Sequence, residues 1–162
     1  MRRSRQAAWW AASCALLAGC GGAELPPPAG PAHASAVVAP GLRAVVDGRV
    51  RTLSIRAGNA TLASAPAGVG PARVACASAR LCYVTDQRGD ALLVFAVGDG
   101  GRSLRLTRRV YLPGGPDAIA VDAARHRLRV TTDRTHRLAL LPAHGRPHVL
   151  AWLATRTTTA TP

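Results

Sequence analysis

The chain contains no lysine: all 21 of its basic residues are arginine, against 8 acidic residues, for a formal charge of +13 in 162 residues. That bias, together with abundant Ala, Gly and Pro, matches GC-rich codon usage rather than a selected nucleic-acid surface, although a field of this sign still attracts anionic headgroups and polymers. Catalytic signatures are missing too. There is no Gly-x-Ser-x-Gly elbow, no phosphate-binding Gly-x-x-x-x-Gly-Lys loop and no His-Glu-x-x-His, so none of the common nucleophile, nucleotide or zinc-protease chemistries is written in the chain. Cysteine is scarce: of four, only Cys76 and Cys82 lie beyond the first 20 residues. A Cys-x5-Cys spacing without further Cys or a nearby His is a poor zinc site. After residue 20 the apolar runs are of strand length, such as 91–97, too short to cross a bilayer as a helix. Ala-rich stretches are cut by Gly or Pro, which leaves no helix of useful length.

What is present begins with an export signal. Arg2, Arg3 and Arg5 form a positive n-region, and residues 7–18 a short apolar h-region, the pattern of a secretory signal peptide. It ends in Leu17-Ala18-Gly19-Cys20. This resembles the lipobox of bacterial lipoproteins. The resemblance implies removal of residues 1–19, fatty acylation of Cys20 such as by palmitate, and anchoring at the outer face of the cell membrane. Two or more acyl chains hold a protein stably where one does not. Loss of the signal takes the formal charge from +13 to +10. Export also separates the chain from cytosolic nucleic acid, so no nucleic-acid partner is expected. Residues 20–41 are rich in Pro, Ala and Gly around Pro26-Pro27-Pro28 and read as a semi-extended tether.

The remainder repeats itself. Gly70-Pro71 recurs as Gly115-Pro116 at an offset of 45, and Val84-Thr85 as Val130-Thr131 at 46. His126, in the turn, accounts for the extra residue. Alternating apolar residues at Val74 and Cys76, and at Ile119 and Val121, predict half-buried strands. Further strands are predicted at 81–85, 91–97, 104–112, 128–131 and 138–141. A period in the mid-forties built from short strands points to propeller blades.

At these residues the chain resembles the YVTN-type β-propeller repeat proteins and the neighbouring NHL and YncE-like groups. Tyr83-Val84-Thr85-Asp86 stands for the Tyr-Val-Thr-Asn signature, and residues 115–122 and 127–131 match two of the family's strands. Residues 45–55 look like the outer half of a preceding blade. The resemblance implies an all-β fold of antiparallel blades over 42–153, followed by a disordered tail, 154–162. It also implies incompleteness: about two and a half blades, with 148–153 beginning a third, where a closed ring has four to eight. Either the chain closes by self-association, or it is a remnant of a longer gene product. The low-complexity tail favours the remnant, and open blade edges are an association hazard.

Cys76 aligns with Val121 and Cys82 with Leu128. This places both cysteines on one face of a two-strand hairpin, where cross-strand Cβ atoms lie about 4.5–5.5 Å apart. In an oxidising compartment they form a disulfide or serve as small apolar core residues. Asp86, Asp117, Asp122 and Asp133 recur near strand ends. In a closed ring such groups can hold calcium; in turns they bond backbone amides. His144 and His148 are separated by Gly145 and Pro147, which makes a shared metal unexpected. No catalytic residue, metal or cofactor is therefore assigned. The expected function is a lipid-anchored, non-catalytic binding or scaffold protein whose partner is a protein or an anionic envelope polymer. The alternative is a fragment of a propeller hydrolase or lactonase, active only as a complete ring.

Overall fold

A computed structural model describes residues 33–155. The signal, Cys20 and most of the tether lie outside those residues. The described part is all-β: twelve strands form three four-stranded antiparallel sheets, each in simple sequential order. The first blade comprises β1 (His33–Ala39), β2 (Leu42–Asp47), β3 (Thr52–Ala57) and β4 (Ala60–Pro66). The second comprises β5 (Pro71–Ser78), β6 (Leu81–Asp86), β7 (Ala91–Gly98) and β8 (Ser103–Tyr111). The third comprises β9 (Pro116–Asp122), β10 (Arg127–Thr132), β11 (Arg137–Pro142) and β12 (Ala151–Ala154).

The blades stack face to face through two cores. Ala44, Val46, Leu53 and Ile55 of the first blade meet Val74, Cys82, Val84, Leu93 and Phe95 of the second. Ala75, Tyr83, Leu92 and Val94, on the other face of the second blade, meet Ile119, Leu128, Val130, Ala139 and Leu141 of the third. The sequence patterns follow from this order. β6 and β7 are buried on both faces, so they read as near-continuous apolar runs, as doubly covered strands do. β2, β10 and β11 are covered on one face only and alternate buried with part-exposed residues. Burying a large apolar side chain contributes roughly 1.5–3 kcal/mol. Tyr83, Phe95, Leu92 and Leu93 are all fully buried, so the middle blade carries the densest share of this term.

Five expectations require correction. The described residues form three complete blades rather than two and a half. Residues 45–55 belong to the two middle strands of a full blade, not to its outer half. The segment 148–153 starts no new blade: β12 is the fourth strand of the third blade, with Leu153 opposite Leu138 and Trp152 opposite Ala139. It extends to Ala154, and the Thr155 amide still bonds the His136 carbonyl, so Ala154 belongs to this strand and not to the expected tail. At the other end, the stretch read as tether contains β1. Ala34, Ala36 and Val38 pack against the first core, with Ser35 and Val37 exposed between them. The alternation is there, but alanine and serine carry it weakly.

One backbone bond repeats in every blade. Ala67 N–H donates to the Arg51 carbonyl, Leu112 N–H to Asp90 and Thr155 N–H to His136. All three acceptors adopt the left-handed conformation, with φ of 56°, 50° and 47°. Each ties the residue after the fourth strand to the turn between the second and third.

Candidate functional site

The polar side chains converge on one rim, where the inter-blade crossovers (67–70 and 113–115) meet the turns between second and third strands (87–90 and 133–136). Asp86 is fully buried at the end of β6. Its Oδ1 accepts from the backbone N–H groups of Val69 at 3.1 Å, Gly70 at 2.7 Å and Gly89 at 3.1 Å. Its Oδ2 faces the Arg109 guanidinium at 3.5 Å. A buried carboxylate needs such compensation, and here it locks the first crossover onto the turn. Gly68, at φ +94°, can have no side chain: a Cβ there would lie 2.3 Å from Asp86 Oδ2.

The Tyr83–Asp86 segment thus divides its tasks. Tyr83 points into the second core and donates its hydroxyl to the Ala143 carbonyl of the next blade at 2.8 Å; burial pushes its pKa up. Val84 points into the first core. Thr85 Oγ1 accepts from the Arg73 amide at 3.0 Å, and Asp86 clasps the crossover.

A second clasp joins the second and third blades. Asp90 Oδ1 accepts from the amides of Gly115 at 2.8 Å and Gly114 at 3.2 Å, and it pairs with Arg134. The Gly115 amide holds the Asp90 carboxyl below the ordinary carboxylate range, and Arg134 reinforces it against the opposing effect of desolvation. Beside it, Gln87 Nε2 donates to Asp133 Oδ2 at 3.2 Å. In the third blade Thr132 replaces Asp86, and its hydroxyl reaches only Thr135 and the Arg137 backbone within its own turn.

The other residues singled out in the sequence are scattered. Asp117 accepts from the Thr131 hydroxyl at 3.1 Å. Asp122 caps its own turn through the Arg125 amide and guanidinium. His144 faces His126, with ring centroids 6.0 Å apart, and His148 Nδ1 lies 2.9 Å from the Arg146 carbonyl. Among the described residues, no three His, Cys, Asp or Glu side chains group as metal ligands would. Cys76 and Cys82 face one another across β5 and β6, in the register that Val121 and Leu128 occupy in the third blade. The structure joins their sulfurs at 2.03 Å, with Cα atoms 4.0 Å apart. Asp90, the centre of the second clasp, escaped sequence reasoning because its partners are backbone amides 24 and 25 residues away.

The sequence matches no protein-family model and no curated protein. Solved structures do share its architecture. A Bacteroides fragilis protein provisionally named a 6-phosphogluconolactonase superposes with a TM-score of 0.61 at 12% identity, over 70% of this chain and 36% of that one. A protein of unknown function from Desulfotomaculum acetoxidans superposes with a TM-score of 0.61 at 13% identity, over 71% of this chain and 39% of that one. At such identities the likeness establishes the propeller-type fold alone. The chain spans well under half the length of either.

The clasps make a pH prediction. A carboxyl whose folded pKa is lowered stabilises the fold above its unfolded value, about 3.9, and loses that contribution as pH falls through the folded value. Asp90→Asn therefore flattens the acid limb of the stability curve below about pH 4, as measured by urea unfolding at a series of pH values. Asp86→Ala, which strands buried amides, is the larger loss at neutral pH, on the order of 3 kcal/mol.

Proposed function

We propose that this chain is a lipid-anchored, non-catalytic β-propeller-type module of the bacterial cell envelope, which binds an anionic surface through the outer strand of its middle blade. The observation that carries this reading is the division of charge. The rim carboxylates of Asp86 and Asp90 are engaged in holding crossovers. Meanwhile Arg105 and Arg108 of β8 are exposed on this edge strand. Arginines on an edge strand also deter strand addition, so the same residues serve solubility and attraction.

The anchor is read from the Leu17–Cys20 box behind an arginine-rich n-region. Cells fed a fatty-acid probe label the wild-type protein but not Cys20→Ala; equal labelling of the two would remove the anchor from the account. The basic strand is tested with vesicles. An arginine near an anionic surface contributes about 1 kcal/mol, so Arg105→Gln with Arg108→Gln lowers the preference for phosphatidylglycerol over phosphatidylcholine vesicles by roughly tenfold or more. Comparing the two lipids cancels acyl insertion, which is common to both.

A second reading follows from the likeness to the Bacteroides fragilis protein: a part of a lactonase-like propeller, active only within a complete ring. It needs blades beyond the three described, and the Asp86 and Asp90 carboxylates, tied to loop amides, supply no general base.

A further inference from the structure

The two end faces of the blade stack differ in chemistry. The outer face of the first blade presents Ser35, Arg43, Val45, Ser54 and Arg56. These occupy the positions that Val74, Cys82, Val84, Leu93 and Phe95 fill, buried, in the second blade, each at an offset of 39 residues. The face satisfies itself: Arg43 Nη2 donates to Ser35 Oγ at 2.7 Å, and the Ser54 and Ser64 hydroxyls lie 3.3 Å apart. A polar outer face of this kind is how repeat arrays cap an end.

The outer face of the third blade is built like an interface. Register places Ala118, Ala120, Arg129, Thr131, Leu138 and Leu140 on it, all half-buried. At the matching positions the second blade has Ala75, Tyr83, Leu92 and Val94, the side chains that pack on the third blade. Ala120, Leu138 and Leu140 keep that apolar character, and only Arg129 departs, in the place of Tyr83. Asp117 lies on the same side, bonded to Thr131, and register adds Arg127 and Asp122 at its margin, so this face carries two bases and two acids.

We propose that two copies of this chain pair through the outer faces of their β9–β12 sheets, related by a two-fold axis. Of the pairings two copies can form between their end faces, this one alone places apolar surface on apolar surface without net repulsion. A third-blade face against a first-blade face sets Leu138 and Leu140 on Ser54 and Arg56, with four arginines against three aspartates. Two first-blade faces gather four arginines against two aspartates. A two-fold contact makes the same patch serve both partners. Four strands about 4.8 Å apart and some six residues long give a footprint of roughly 20 Å by 20 Å per copy, below the size of stable interfaces and in the range of weak, transient ones. The dimer is accordingly concentration-dependent.

Sedimentation equilibrium of the full chain in a mild non-ionic detergent, from roughly 5 to 200 µM, spans the range where such an interface titrates. Wild type is expected to pass from monomer toward twice that mass. Leu138→Glu with Leu140→Glu weakens association at least tenfold, while Arg43→Glu with Arg56→Glu leaves it unchanged. Should the double leucine variant lose its β circular-dichroism spectrum, Ala120→Arg provides the same readout at a small, half-buried site. Wild type monomeric throughout overturns the proposal. So does a dimer that survives the third-blade changes, as association through the signal segment or the β8 edge would, or one lost on changing the first-blade arginines.

Discussion

Everything in this molecule depends on the burial of one sheet on both of its faces. The β5–β8 blade gives Val84, Leu93 and Phe95 to the first blade, and Tyr83, Leu92 and Val94 to the third. Neither outer blade has a second partner among the described residues. Each buries a single face, and an isolated four-stranded sheet of that kind has little core of its own. The middle blade therefore supplies the contacts that allow the other two to exist. Its fourth strand, the one most exposed to solvent, carries the arginines to which a surface role is assigned here.

Polar residues act on the same problem at the rim. Stacked blades are held by apolar contact, which is non-directional, so orientation must come from hydrogen bonds. Asp86 and Asp90 provide it by gathering the amides of consecutive crossovers. Tyr83 adds a bond from within the core to the Ala143 carbonyl of the next blade. The Tyr-Val-Thr-Asp segment is best understood as four successive structural tasks, two in packing and two in hydrogen bonding. It specifies a blade and not an activity.

The strands legible in the sequence were those with strong apolar contrast. β6 and β7 are continuous apolar runs, and β9 through β11 alternate with large residues. Those missed or misread were built of small ones: β1 is His-Ala-Ser-Ala-Val-Val-Ala and β4 is Ala-Thr-Leu-Ala-Ser-Ala-Pro. Alanine alternating with serine buries too little area to stand out, yet it suffices where a neighbouring strand already supplies backbone partners. β12 was legible as apolar, but its blade was misassigned, because pairing order is set by contacts with β11 rather than by its own residues. At the rim, the carboxylates near strand ends could be picked out, and a turn-bonding role was foreseeable for Asp86. The cross-blade partners of Asp90, Gln87 and Tyr83 were not, since each depends on the spacing between blades.

Amide hydrogen exchange on the full chain, resolved strand by strand, tests the dependence on the middle blade most directly. If that sheet holds the stack together, its central strands open only with global unfolding and show the slowest exchange, while β1, β4 and β12 exchange through local opening. Slowest exchange in the first or third blade, or equal protection across all three, would contradict the account.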